Sequence, residues 1–553
     1  MSSSSQDEAS SSFLYKYRYQ IFFTLILLLS VINLMIDIME IDAAQYASIS
    51  LEMSKTGNYL QVYQSGHDYL DKPPLLFWFS SLSISVFGNS NLAYKLPAII
   101  LLWFGLWATY KLADLWYDRK TGIIAALIFG TSQAFHLMTN DVRTDGLLTS
   151  FVILSVYFIS VYLKKGSVFC LLIGGCCIGG AMLAKGPIGF IIPTAAIGGH
   201  LLISAQWKKI IDWKWLLLLP VIAVLLGPML YGLYMQFDMH PEKEVYGLKG
   251  PSGIEFYFWT QSFGRITGGN AWQNDASYFF FTQSIWWDLS PWILMFVPAL
   301  AWKIKNLFQK NSRREKAAEW VSLSGFVIPF IALSLSRYKL PHYIFPLFPF
   351  AAVMTSAFLI HNFRKFPRWF EIFYLVLIHF FVFISLMIVL WIFAPVNFFM
   401  MSLIVLFYLL FWWCQKKIMD RTEKFVLSIV TIALLFQFVL SLHFYPRLLN
   451  YQSTSQAGKF IEAEKPESVY WFKKFGFALD YYSGMNIPQL LEPAQAIPAG
   501  SWIYTNEEGL NELRGVKIIK EYNDYPVTLL TPSFLNPEKR NSKLKKAYLV
   551  QKE

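Results

Sequence analysis

The sequence predicts a mainly α-helical, polytopic membrane protein with about 13 transmembrane helices, interfacial helices in its first outer loop and a small C-terminal α/β domain outside the membrane. Three observations carry that prediction. The 553 residues are 55% hydrophobic and only 15% charged, whereas a soluble chain of ordinary composition carries about 25% charged residues. Long apolar runs recur from residue 20 to residue 444, and after residue 445 the composition turns polar, with short runs of β type. An aromatic content of 18% fits lipid-facing and interfacial surfaces.

In chain order, residues 1–19 are rich in serine and polar and read as a disordered cytoplasmic tail. The run 21–36 follows Lys16 and Arg18 without a small-residue cleavage site, so it reads as an uncleaved anchor. Further runs at 92–113, 121–139, 146–163, 168–184, 186–204 and 214–236 are long enough to span, or nearly so. The series continues at 281–303, 320–335, 341–361, 369–393, 396–414 and 424–444. A span needs roughly 20 apolar residues, so the shorter, serine-containing run 75–87 is expected to lie in the interface. The two large outer loops are 38–91 and 237–280. Residues 445–553 show β-type runs at 468–472, 501–505, 516–519 and 525–530 between helix-like pieces at 456–464 and 507–514, the alternation of a small α/β domain.

Orientation follows from the basic residues of the connections. Twenty-three Lys and Arg fall on one side, against ten on the other when the C-terminal segment is left out. That bias predicts a cytoplasmic N-terminus and an extracytoplasmic C-terminus. It also explains the net charge of +11 without nucleic acid. The four cysteines (Cys170, Cys176, Cys177 and Cys414) all lie in apolar runs, which excludes a disulfide framework or a paired metal motif. The chain has no HExxH, P-loop or GxSxG pattern.

Topology does not call for cations on the outer side, so charge there needs another reason. Four clusters fall on that face. The first outer loop holds Asp42, Tyr46, Glu52, Asp71 and Lys72, and the second cluster is Asn140-Asp141-Val142-Arg143-Thr144-Asp145. The third is Lys185-Gly186-Pro187, a break between two spans, and the fourth is Ser334-Leu335-Ser336-Arg337-Tyr338-Lys339-Leu340-Pro341-His342-Tyr343. Charge at membrane depth costs about 2.5–3.5 kcal/mol per residue on insertion scales. Carboxylates beside Lys and Arg at one interface suit a lipid-linked phosphate held by cations, next to an acid that handles a proton. His342 reads as an interfacial hydrogen-bonding residue.

The stretch Tyr69-Leu70-Asp71-Lys72-Pro73-Pro74-Leu75, with Asp42 and Tyr46 before it, resembles the first outer loop of bacterial glycosyltransferases of the C-type fold. More narrowly it is similar to the branch joining protein O-mannosyltransferases to the lipid A aminoarabinose transferase. Arg143-Thr144-Asp145, Leu183-Ala184-Lys185-Gly186-Pro187 and Lys339-Leu340-Pro341-His342-Tyr343 follow in that family's order.

The resemblance covers 20–445. It implies that 20–444 is a transmembrane glycosyltransferase domain of the inner membrane, with 445–553 an extracytoplasmic appendage. The implied reaction is inverting transfer of a hexose or pentose from undecaprenyl phosphate to an envelope acceptor (lipid A, glycan or protein). The partners expected are the polyprenyl-phosphate sugar donor, membrane lipids and that acceptor. Asp42, Asp145, Lys72 and Asp71 are the expected catalytic residues. Lys339, Arg337, Arg143, Lys185, Tyr46, Arg265 and Tyr343 are the expected donor and phosphate contacts.

Two departures stand out. Where the aminoarabinose transferases have two acids, any residue, then arginine and tyrosine, this chain has Asp42-Ala43-Ala44-Gln45-Tyr46. Their later glutamate–glutamate–histidine triplet is Thr260-Gln261-Ser262 here. The resemblance brings a divalent metal at Asp71, but the histidine expected to share it is absent, so no cofactor is assigned. A transporter or flippase for lipid-linked sugars is the rival reading, and the one-sided charge argues against it.

Overall fold

The structure is a computed structural model, and it describes residues 15–261, 264, 274, 276–309, 319–394, 396–493 and 497–553. Most of the tail 1–19 and Arg265 lie outside the described residues. The chain opens with helix α1 (Arg18–Met35) and the loop helix α2 (Asp42–Thr56), which ends where Gly57 takes φ 69° and its N–H bonds Met53 O at 3.0 Å. Pro73 and Pro74 then stop the backbone, and α3 (Leu75–Phe87) begins directly after them. Its 13 residues reach about 20 Å, too little to cross the apolar layer; it packs on α2 and on α4 (Asn91–Trp116), which Ser90 caps by accepting from Ala93 N.

The run 121–139 is two helices, α5 (Arg119–Gly130) and α6 (Gln133–Asn140), bent by 57° at Thr131 and Ser132. Ser132 caps the second by accepting from Phe135 N. Then come α7 (Thr144–Lys165), α8 (Val168–Lys185) and α9 (Ile188–Ile203). Gly186, at φ 98°, turns the chain between α8 and α9. A Cβ on Gly189 would stand 2.4 Å from the Ala181 carbonyl carbon, so only glycine lets α9 lie this close to the end of α8.

Helix α10 (Leu218–Leu233) follows, and the run 281–303 divides into α11 (Phe280–Asp288) and α12 (Ile293–Phe308) around Pro291. The remaining bundle is α13 (Val321–Leu335), α14 (Phe348–Asn362), α15 (Arg368–Ile392), α16 (Phe398–Lys417) and α17 (Arg421–Val439). Among the described residues nine helices are long and apolar enough to cross a membrane, or ten if the bent pair counts as one span. This is a multi-pass membrane protein.

The last segment holds α18 (Ser453–Glu464), β1 (Val469–Phe472), α19 (Phe477–Ser483), β2 (Trp502–Asn506), β3 (Val516–Asp524) and β4 (Lys545–Lys552). The four strands form one sheet in the order β1-β2-β4-β3, with β1 and β2 parallel and the other pairs antiparallel. The strand expected at 525–530 is a turn instead. Pro526 brings no N–H, its carbonyl accepts from Leu529 N, and the Tyr525 hydroxyl donates to Leu529 O at 2.9 Å. The fourth strand is instead β4, inside the sheet between β2 and β3, with Ala547, Leu549 and Val550 buried between its lysine-bearing ends.

Candidate functional site

Helix ends and the connections between them converge at one end of the bundle. Asp42 is the first residue of α2 and Tyr46 lies one turn on. Arg143 precedes α7, Asp145 sits in its first turn and Lys185 is the last residue of α8. An acid in the first turn and a lysine in the last are the placements a helix dipole favours. Asp42, Tyr46, Asp145 and Lys185, with residues of the 69–72 and 338–343 connections, line a cavity of about 260 Å³.

Asp42, Asp71 and Asp145 are each held by a cation. Arg143 bridges Asp42 Oδ2 at 2.6 Å and Asp141 Oδ2 at 2.7 Å. Burial works against the Arg143 charge, but the Asp141 and Asp42 carboxylates outweigh it and hold the guanidinium above its ordinary range. Lys72 Nζ lies 2.6 Å from Asp71 Oδ2. Lys185 pairs with Asp145 and lies 4.2 Å from the centre of the Tyr343 ring. His342 Nε2 stands 3.8 Å from the second Asp145 oxygen. The side chain of Asp42 is 35% exposed, against 21% for Asp71 and 4% for Asp145, so Asp42 is the most open of the three carboxylates. Burial, reinforced by Asp42 and Asp71, keeps the Tyr46 phenol protonated and therefore a hydrogen-bond donor.

Seven of the eleven expected residues line this cavity: Asp42, Tyr46, Asp71, Lys72, Asp145, Lys185 and Tyr343. Arg143 stands behind Asp42. Lys339 and Arg337 are not among the lining residues. Leu340 is extended (φ −128°, ψ 146°), and in extended backbone alternate side chains point to opposite sides. Tyr338 and Leu340 therefore face the cavity, while the buried Lys339 donates to Ala276 O at 3.0 Å. Arg265 lies outside the described residues. His342, expected only as an interfacial hydrogen-bonding residue, and Gln45, not expected at the site, both line the cavity; the place of Gln45 one residue before Tyr46, where the resembled motif has arginine, is the signal in the sequence.

A divalent cation does not fit the donors at Asp71. Its Oδ2 faces the Lys72 ammonium and its Oδ1 accepts from the Gln261 amide at 3.0 Å, and both of these described neighbours are N–H donors, which no cation could share. Gln261 belongs to the Thr260-Gln261-Ser262 triplet that stands in place of the histidine motif.

Residues 71–231 match the family described as dolichyl-phosphate-mannose-protein mannosyltransferase. Among relatives, the undecaprenyl phosphate-α-4-amino-4-deoxy-L-arabinose arabinosyl transferase 2 of Proteus mirabilis is 24% identical over 59% of this chain and 56% of its own length. The corresponding transferase of Pseudomonas aeruginosa is 26% identical over 57% of this chain and 55% of its own length. The chain thus matches little more than half the length of these relatives. Among solved structures, ArnT from Cupriavidus metallidurans bound to undecaprenyl phosphate superposes with a TM-score of 0.73 at 15% identity, covering 96% of this chain and 97% of that one. Over nearly its whole length the chain thus has the fold of that ArnT structure, and its segment 71–231 is similar to the protein mannosyltransferase family.

Proposed function

We propose that this chain transfers a pentose or hexose from a polyprenyl-phosphate donor to an envelope acceptor (lipid A, a glycan or a protein) at the extracytoplasmic face of the inner membrane. The observation that carries the reading is one cavity lined both by the cations Lys72 and Lys185 and by Asp42, the most exposed of its carboxylates. As the bond between the anomeric carbon and the phosphate oxygen breaks, the two ammonium groups offset the charge that collects on the leaving phosphate. An acceptor hydroxyl attacks from the opposite side and its proton passes to Asp42. An acceptor phosphate brings no proton to remove, and Asp42 then only orients it. Asp145 holds Lys185, Asp71 with Gln261 holds Lys72, and Arg143 aims Asp42. Lys339 and Arg337 act through the wall segment 338–340, and Arg265 is a further phosphate contact from the second outer loop.

The membrane arrangement belongs to the same proposal. Counting the shorter helices α9 and α13 and the broken pair α11–α12 as spans brings the total to 13. The N-terminus is then cytoplasmic, and 445–553 lies with the cavity outside the membrane. The test uses the purified full chain in proteoliposomes with labelled undecaprenyl-phosphate sugar and an envelope extract as acceptor. Release of polyprenyl phosphate with label on the acceptor supports the reading. Label that crosses the bilayer uncleaved overturns it in favour of a flippase.

A further inference from the structure

We propose that the cavity between the membrane-surface ends of α15 and of the last span and the edge strand β3 is a second anion site, which takes a phosphate group, most directly that of an anionic phospholipid. The cavity has a volume of about 540 Å³ and shares no lining residue with the Asp42 cavity. Both lie at the same end of the bundle. Gln452, next to the lining residue Tyr451, donates to Ile38 O at 2.9 Å and accepts from Glu40 N at 2.9 Å, two residues before Asp42.

Three cations line it: Arg447, Lys520 and Arg540. Among the described residues none of the three has a carboxylate within ion-pair distance. The contrast with their neighbours is sharp, since Lys474 pairs with Asp524 and Lys459 with Asp37, both at 2.6 Å. The one carboxylate on the lining, Glu521, is itself paired with Lys546 at 2.6 Å. The site therefore carries a surplus of positive charge.

The two arginines are held in place by neutral groups. Arg540 donates to Phe534 O at 3.1 Å and to Ile392 O, and its guanidinium lies 4.7 Å from the centre of the Phe393 ring. Arg447 uses Nη1 on His443 O at 3.1 Å and on the His443 ring. Half-buried guanidinium groups without a counter-ion carry a desolvation penalty that an anion would offset. Their fixed planar forks match phosphate oxygens. Asn450 and Gln456 add neutral amide donors on the same lining.

The position favours a lipid. Helix α15 is only 22% buried over its apolar window, exposes Met387, Ile388 and Trp391, and ends at Ile392 on the cavity wall. A phospholipid lying along that face would bring its headgroup to the cavity mouth, where Trp391 marks the interface.

The test places the full chain in nanodiscs of phosphatidylcholine with a minority of phosphatidylglycerol and counts retained lipid by native mass spectrometry. Thermal unfolding with added inorganic phosphate runs in parallel. The variants are Lys520→Glu, at an exposed position that leaves folding intact, and the pair Arg447→Gln with Lys520→Gln. The wild type should retain phosphatidylglycerol selectively, and the double variant should lose roughly tenfold in retention, the expected effect of removing charge-assisted bonds. Phosphate that stabilises the wild type but not the variants, without selective lipid retention, supports the anion site and assigns it to free phosphate. Equal behaviour of wild type and both variants in both assays overturns the proposal. So does equal retention of the two lipids by the wild type together with no response to phosphate.

Discussion

At the scale of single residues, the cavity divides its charges by exposure. Asp42 is the most open of its carboxylates, and Asp145 is buried in its pair with Lys185. Replacing Asp42 with Asn should lower the turnover for a hydroxyl acceptor by about 10²- to 10⁴-fold, the usual reach of a general base. Donor affinity should hardly change; steady-state rates with donor binding measured on the same preparations check this, and wild-type turnover removes Asp42 from the mechanism. Lys72→Ala and Lys185→Ala should act on the donor instead. Each removes a charge-assisted contact of about 1.5–3 kcal/mol, so the donor KM should rise roughly tenfold or more. Lys339→Ala should weaken donor and acceptor use together, because Lys339 bonds Ala276 O and acts through the wall. A selective donor KM effect would instead return Lys339 to direct phosphate contact.

At the scale of elements, the site depends on how helix ends are fixed. Lys95, buried in α4, donates to Asn33 O at 3.1 Å and to Ile36 O at 2.7 Å, so it satisfies carbonyls left over at the end of α1. Lys95 is one of the ten basic residues on the outer side, and its work is structural. Gly189 sets the approach of α9 to α8, whose last residue is Lys185. Gly189→Ala brings a methyl group against the backbone of Ala181 and Met182, and backbone cannot swing aside as a flexible side chain does. Thermal stability should fall by at least the 1–3 kcal/mol typical of overpacking, with Lys185-dependent donor binding falling alongside. A Gly189→Ala protein that unfolds at the wild-type temperature would show that the two helices have room to part.

At the scale of the whole molecule, the C-terminal segment clamps the loop that carries Asp42. Tyr482 accepts from Ile38 N at 2.8 Å, and Glu40 accepts from Ala478 N at 2.7 Å and from Thr454 at 3.1 Å. Asp480 accepts from Ser65 at 2.7 Å. Burial pushes the Glu40 carboxyl up to about 7 and that of Asp480 up to about 7. Acids raised in the folded state bind more protons than the unfolded chain does between their ordinary range and pH 7. Their contribution to stability is therefore full below about pH 4 and is lost as the pH rises through 7. Thermal unfolding from pH 5 to pH 8 should show that fall, and Glu40→Gln should flatten much of it. An unfolding temperature that rises across the same window in the wild type would overturn the assignment.

Much of this was legible in the chain itself, because membrane spans are long apolar runs and the bilayer tolerates little else. Each expected run corresponds to a helix or a broken pair of helices, and the Asp42, Asp71-Lys72, Arg143–Asp145, Lys185 and Tyr343 motifs meet at one cavity. The sequence alone determined the mainly helical, multi-pass fold class and the types of charge that gather at the cavity, since hydropathy and residue type are local properties. Only the tertiary structure decided which charges pair and which way they face. Lys339 turns from the cavity because extended backbone alternates, Gln261 takes the Asp71 oxygen that a metal would need, and Arg447 and Arg540 become neighbours across 93 residues of chain. Pairing depends on distances between segments remote in sequence, and no local pattern records them.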